Sequence, residues 1–321
     1  MFLPQPFPPF HEGECAAQER VGVRERMAMV GRNAIRDFMP DQHREFFTQL
    51  PFVIAGTVDA HGQPWASVLA NPPGFIESPH PRQLAIHASP LTADPLAETL
   101  TPNALIGLLG IEQHTRRRNR MNGVIERITD RGFLVRVNQS FGNCPKYIQA
   151  REAKYVHDDS GVARTVRHTG LDDAVVRCLI QRADTFFIAT TYATDKPGGG
   201  NGDDNPAHGV DVSHRGGKPG FVHVNDDGTL TVPDFSGNKF FNTIGNLLVN
   251  PRAGLLFIDF ENGNLLYLAV AAEIIWEGEQ ISAFEGAERL LRFRVCAARY
   301  VQASLPLRWG AAQLSPFLER K

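Results

Sequence analysis

The chain has 321 residues, 42% of them hydrophobic, enough for two modest domains or one built by duplication, and disorder is excluded as its default state. Its formal net charge of -2 supplies no global attraction to nucleic acid or an anionic membrane. Cys15, Cys144, Cys178 and Cys296 are widely spaced and form no CxxC pair, which argues against a disulfide-stapled fold and for a reducing cytoplasm.

Pro4, Pro6, Pro8 and Pro9 make the start an extended arm that lacks the pattern of a signal peptide, and no stretch approaches the ~20 apolar residues of a membrane span. Glu14 to Phe38 mixes Ala, Met, Val, Arg and Glu at helical spacing, so residues 1–41 read as an arm and a helix. Phe52 to Val58 is a β-branched apolar run ending at the turn residues Asp59-Ala60-His61-Gly62, and Trp65 to Ala70 completes a hairpin. Short strands follow at 83–87, 104–111, 122–128 and 133–138, with a helix-compatible stretch at 94–100, so residues 42–145 carry the signature of a small barrel. The charged segment 146–182 reads as a helical connector.

The second half repeats this order. Asn103 to Glu112 aligns without gaps to Asn250 to Asp259, and Pro73-Gly74-Phe75 has its counterpart in Pro219-Gly220-Phe221. Phe52 to Val58 is matched to Phe186 to Tyr192, Leu84 to His87 to Leu230 to Pro233, and Gly123 to Glu126 to Val270 to Glu273. Residues 183–278 are thus expected to form a second barrel, and 279–321 a C-terminal helical segment. The Gly/Asp-rich stretch Asp195 to Asn205 has no counterpart in the first half; its Gly198-Gly199-Gly200-Asn201-Gly202 is not a GxGxxG turn between strand and helix and reads as a flexible lid.

The chemistry concentrates in the second repeat. Asp211 to Phe221 has four residues more than its counterpart, and its glycines with Ser213, Arg215 and Lys218 suit close approach to an anion as well as they suit an exposed turn. Ser236-Gly237-Asn238-Lys239 lies at a strand-to-helix junction, where unpaired N–H groups and the helix dipole favour phosphate; Ser236 or Asn238 could equally be a plain N-cap.

These segments, with Gly245-Asn246-Leu247 and Asn250 to Phe257 behind them, resemble the pyridoxamine 5'-phosphate oxidase-like FMN-binding proteins. Gly142 to Ile148 resembles a further segment of the longer bacterial members, and the likeness runs over most of residues 11–310. The resemblance implies a mainly β fold with flanking helices, two tandem FMN-binding split β-barrel repeats, and a flavin held between barrel halves. It carries the phosphate-contacting role to Ser236, Asn238 and Lys239, with Ser213 to Lys218 adjoining, and places Asn143 and Lys146 near the flavin. The partner-side strand falls on Arg116 to Arg120, so Arg117, Arg118, Asn119 and Arg120 join the expected site; the uncharged counterpart Asn262 to Leu266 favours an anion role over a solvated hairpin tip or a nucleic-acid patch.

Repeat one has Ser89 to Asp94 where the phosphate loop would lie, acidic and without a base, so one FMN per chain is expected. His214 is the best placed of His208, His214 and His223 for proton transfer to substrate. Cys144 reads as an ordinary buried thiol, and His11-Glu12-Gly13-Glu14 lacks HExxH spacing, so no metal is expected. The expected activity is FMN-dependent oxidation-reduction of a small molecule, with NAD(P)H as a candidate electron source, a homodimer as the family's habit, and neither nucleic acid nor membrane as partner. A non-catalytic flavin carrier or sensor and a haem-binding or haem-degrading relative are the alternatives.

Overall fold

The computed structural model describes residues 7–156, 165–192 and 205–318; the expected lid, residues 195–204, lies outside them. The lead-in is α1 (Glu12–Arg20), α2 (Arg24–Ala34) and α3 (Asp41–Thr48). The single helix expected over 14–38 breaks at Val21-Gly22, where Gly22 takes a φ of 69° that disfavours any residue with a Cβ.

Two sheets of one design follow. The first holds β1 (Phe52–Val58), β2 (Pro64–Ala70), β3 (Ile76–His80), β4 (Gln83–Ile86), β5 (Leu105–Glu112), β6 (Arg117–Thr129) and β7 (Gly132–Gly142), with α4 (Leu96–Thr99) between β4 and β5. Its strand order is β2-β1-β5-β6-β7-β4-β3. After β8 (Ala153–Tyr155), β9 (Val166–Thr169) and α5 (Ala174–Arg182) come β10 (Thr185–Thr191), β11 (Val210–Gly216), β12 (His223–Val224), β13 (Thr229–Phe235), α6 (Asn242–Val249), β14 (Arg252–Ile258), β15 (Leu265–Ile275) and β16 (Ala287–Val301). These strands order as β11-β10-β14-β15-β16-β13-β12, with β9 against β16, while β17 (Leu307–Trp309) pairs with β8.

Replacing β1–β7 by β10–β16 reproduces the first order, so the chain is two tandem split barrels, mainly β with flanking helices. Registers agree in detail. Leu105 faces Val124 as Arg252 faces Ala271, and the bulge at Asn122/Gly123 recurs at Ala269/Val270. Ile54 faces Leu109 as Phe187 faces Leu256, which shifts the expected match of Phe52 to Phe186 by one residue. Alternation explains the all-apolar runs of β1 and β10. Val53, Ala55, Phe186 and Ile188 fill their own barrels, while Phe52, Ile54, Phe187 and Ala189 fill the seam between barrels.

The seam is closely packed and pseudo-symmetric. A Cβ on Gly107 would lie 2.4 Å from the Val210 carbonyl oxygen, and a Cβ on Gly254, its counterpart, 2.4 Å from that of Pro64. The contact at Gly107 sets β5, and with it the neighbouring β6, against β11, and the contact at Gly254 sets β14 against β2.

Two helical expectations fail. Within 146–182 the described residues are helical only in α5, and β8 and β9 are extended. The segment 279–321 forms a 3-10 turn at Glu279–Ala283 and the long strand β16. Arg, Leu and Ala give Ala287–Val301 helical propensity, but β16 pairs with β13 and β15 and buries Leu291, Phe293, Ala298 and Tyr300 in the barrel, and that burial outweighs propensity. Among the described residues no helix is long and apolar enough to cross a membrane.

Candidate functional site

The loop from β13 to α6 bends sharply: Lys239 and Phe241 take left-handed φ values of 63° and 64°. Such conformations cost on the order of 1 kcal/mol or more for residues with a Cβ and concentrate at functional sites. The bend aims the first turn of α6 into a pocket of about 110 Å³, lined there by Asn242, Thr243 and Ile244. First-turn N–H groups have no partner within their own helix, and the dipole makes this end positive.

Strand alternation selects the cations. On β6, Arg118 and Arg120 face the pocket. Arg117 points away, lying 4.6 Å over the Phe46 ring and donating to the Gln42 carbonyl, and the buried Asn119 does not line the pocket either. On β11, Ser213, His214 and Arg215 line it, while Lys218 is exposed past the strand end. Asn238, Lys239 and Asn143 also line it. Ser236 does not; its carbonyl accepts from the Tyr147 hydroxyl, and Asn238 accepts from the Phe240 N–H in a local turn. Lys146 lies in an adjoining recess.

Carboxylates absent from the sequence-derived site hold these cations. Asp211 is buried and accepts from Arg120 and Asn122 at 2.8 Å and from Asn246 at 2.9 Å. Asp234 pairs with both Arg215 and Arg289, and Glu288 with Lys239 and Arg289. Arg289 stands on β16, the strand mistaken for helix. Extending the duplication one strand further would have found it, because Val137 on β7 occupies the register of Val295.

Arg118, Arg120, Arg215, Lys239 and Arg289 thus face Asp211, Asp234 and Glu288, and positive charge is in excess. Arg118 makes no ion pair among the described residues; it donates to the carbonyls of Cys144 (2.7 Å) and His214 (3.3 Å). Burial and the neighbouring Arg120 lower its pKa to about 10, so it stays charged at neutral pH. Beneath α6, Glu14 accepts from the His11 N–H and from Asn242, and burial, reinforced by Asp211, pushes its carboxyl well above the ordinary range.

His214, expected to transfer protons to substrate, lines the pocket. It is buried, and desolvation followed by Arg118, Arg151 and Arg215 holds its pKa well below the ordinary value, so the ring is neutral. It can hydrogen-bond but is no imidazolium donor near pH 7. Among the described residues His214 Nε2, Arg215 Nε and Asn143 Oδ1 are buried without a protein partner, and such atoms carry a desolvation cost that a polar ligand removes. The donor set fits a phosphate.

The pseudo-symmetric position in repeat one is closed. Tyr267 takes the register of Arg120 and donates to Asp94 Oδ2 at 2.9 Å, and Asp94 Oδ1 accepts from the Leu96 N–H at 2.8 Å. A carboxyl of this chain occupies the place where an anion would sit.

The family profile for pyridoxamine 5'-phosphate oxidase matches residues 39–168. No curated protein matches the chain. Among solved structures, HupZ of Group A Streptococcus is 16% identical, covering 41% of this chain and 96% of its own, with a TM-score of 0.31. An FAD-binding protein of Mesorhizobium loti is 14% identical over 42% of this chain and 97% of that one (TM-score 0.26), and the haem storage protein HutZ of Vibrio cholerae 15% identical over 46% and 99% (TM-score 0.24). The profile match covers the first repeat, and the strand order of that repeat recurs in the second.

Proposed function

We propose that this chain binds one FMN and uses it for oxidation-reduction of a small molecule. The carrying observation is the pocket at the start of α6, where cations of both repeats outnumber their carboxylates around orphaned donors. Closure of the opposite position by Asp94 and Tyr267 supports a single flavin. In this reading Arg118, Arg215, Lys239 and the first turn of α6 hold the phosphate, Arg120 and Asp211 fix the strands that present it, and neutral His214 offers a hydrogen bond. A bound flavin supplies the hydride and electron chemistry, which no side chain here could.

The test is the visible spectrum of protein purified with FMN supplementation, followed by release of the chromophore. About one FMN per chain is expected, and Arg118→Ala should weaken binding by about 1.5–3 kcal/mol, the scale of a charged hydrogen bond. A colourless protein that fails to bind added FMN removes the proposal. Flavin that NAD(P)H reduces and oxygen or a dye reoxidises supports catalysis; flavin inert to both leaves only a carrier.

A further inference from the structure

A cavity of about 720 Å³, within the size range of small-molecule sites, shares no residue with the phosphate pocket. Its walls come from α5, the turn between β14 and β15, and the residues from Trp309 onward. The duplication offers a comparison. Ile111 of repeat one stands in the register of Ile258, and the cavity beside it is about 340 Å³. A gap inherent in the barrel would be equal in both repeats, so the extra volume belongs to repeat two.

The walls are fastened in place. Asp173 caps α5 by accepting from the N–H groups of Val175 and Val176. Asp259 holds its turn by accepting from the Glu261 and Asn262 N–H groups and from the Asn262 and Asn264 side chains. The Trp309 N–H donates to the Phe260 carbonyl at 2.9 Å, and the two rings meet edge to face at 5.0 Å. Arg151 pairs with Asp184 and lies 4.0 Å over the Phe260 ring, which fixes the plane of its guanidinium.

Charge in this wall is already matched. Arg151 has Asp184, Arg182 faces Glu261 at 3.8 Å, and Asp259 is engaged by its four donors, so no cation is left over for an anionic ligand. Val175, Leu179 and Ile258 add apolar surface to the rings of Phe260, Tyr300 and Trp309. Yet among the described residues Arg151 Nε, Asp184 Oδ1 and Trp309 Nε1, all on residues of this wall, are buried without a partner. Two donors and one acceptor thus carry a desolvation cost that a ligand edge offering an acceptor beside a donor removes.

We propose that this cavity binds an uncharged, planar fused-ring molecule whose edge carries a hydrogen-bond donor beside an acceptor, as a lactam does. The three aromatic side chains suit a flat ring, and the matched charges disfavour a carboxylate or phosphate. The flavin reading has no part in the argument, since the two cavities have separate walls.

Two thiols give the readout. Cys178 on α5 is exposed and lines the cavity, whereas Cys296 on β16 is exposed and does not. Iodoacetamide alkylation of both, followed by peptide mass spectrometry on the full chain, is measured with 2-quinolinone, a fused-ring lactam, and with 2-naphthoate, a charged ring system of the same size. 2-Quinolinone is expected to slow Cys178 saturably, roughly tenfold or more, because alkylation needs access to the thiolate. Cys296 should be unaffected, and 2-naphthoate should protect neither. Val175→Trp, at a wall position that is 46% exposed and so tolerant of a larger side chain, should fill the cavity and abolish 2-quinolinone binding by calorimetry. Absence of protection, equal slowing of both thiols, protection by 2-naphthoate as strong as by 2-quinolinone, or binding that Val175→Trp leaves intact would each overturn the proposal.

Discussion

His11 offers a clean test of how the N-terminal helix is fastened over the site. Its Nδ1 accepts from the Gly13 N–H at 3.1 Å, capping α1, and α1 lies against α6 so closely that a Cβ on Gly13 would be 2.2 Å from the Gly245 carbonyl oxygen. His11 is 3% exposed, and burial lowers its pKa to about 4. An unfolded histidine titrates near ~6.5, so between these values the unfolded chain binds a proton that the folded one refuses, and stability falls as pH falls. From pH 7 to pH 5 the loss from this residue is about 2 kcal/mol by linkage. His11→Asn keeps a side-chain N-cap and removes the titration. Urea unfolding at both pH values should show wild type losing about 2 kcal/mol more than the variant, because the other buried histidines contribute to both and cancel. Parallel losses in the two proteins would refute the argument.

Asp211→Ala should destabilise by about 3–5 kcal/mol and weaken FMN binding, since it strands Arg120 in the seam; a change below 1 kcal/mol in chemical denaturation would deny Asp211 its place as the hub. Gly245→Ala would bring a Cβ within about 2.5 Å of Glu14, and the overpacking should cost about 1–3 kcal/mol and loosen α1, read as faster amide exchange over Glu12–Arg20; unchanged exchange would contradict it. Asp94, raised to about 6 by burial, holds its proton more tightly folded than unfolded, so its contribution is largest below pH 4 and declines as pH rises to 6. Asp94→Asn should therefore gain on wild type by roughly 2 kcal/mol between pH 4 and pH 7, with FMN still at one per chain; a pH-independent difference, or two FMN per chain, would contradict the closed position.

The duplication was legible because each barrel strand leaves a local trace. β1 and β10 are continuous apolar runs, the Pro-Gly-Phe turns recur, and Asn103 to Glu112 aligns with Asn250 to Asp259 in the register the sheets adopt. Where one strand serves two cores, as in β1, almost any apolar residue satisfies either face, and the alignment slipped by one. Between Arg117 and Arg118 only alternation decides, and nothing local says which face of β6 meets β11.

The sequence by itself determined the repeat, the class of fold and the neighbourhood of the arginine-lined pocket, because these depend on patterns short enough to read along the chain. Only the tertiary structure decided that β16 is a strand, since its partners β13 and β15 provide the burial that overrides its helical composition. It likewise decided that Asp211, Asp234 and Glu288 hold the arginines, that His214 is neutral, and that Asp94 fills the opposite position. Charge pairing and desolvation act through space between residues as far apart in sequence as Arg120 and Asp211, and no local pattern encodes them.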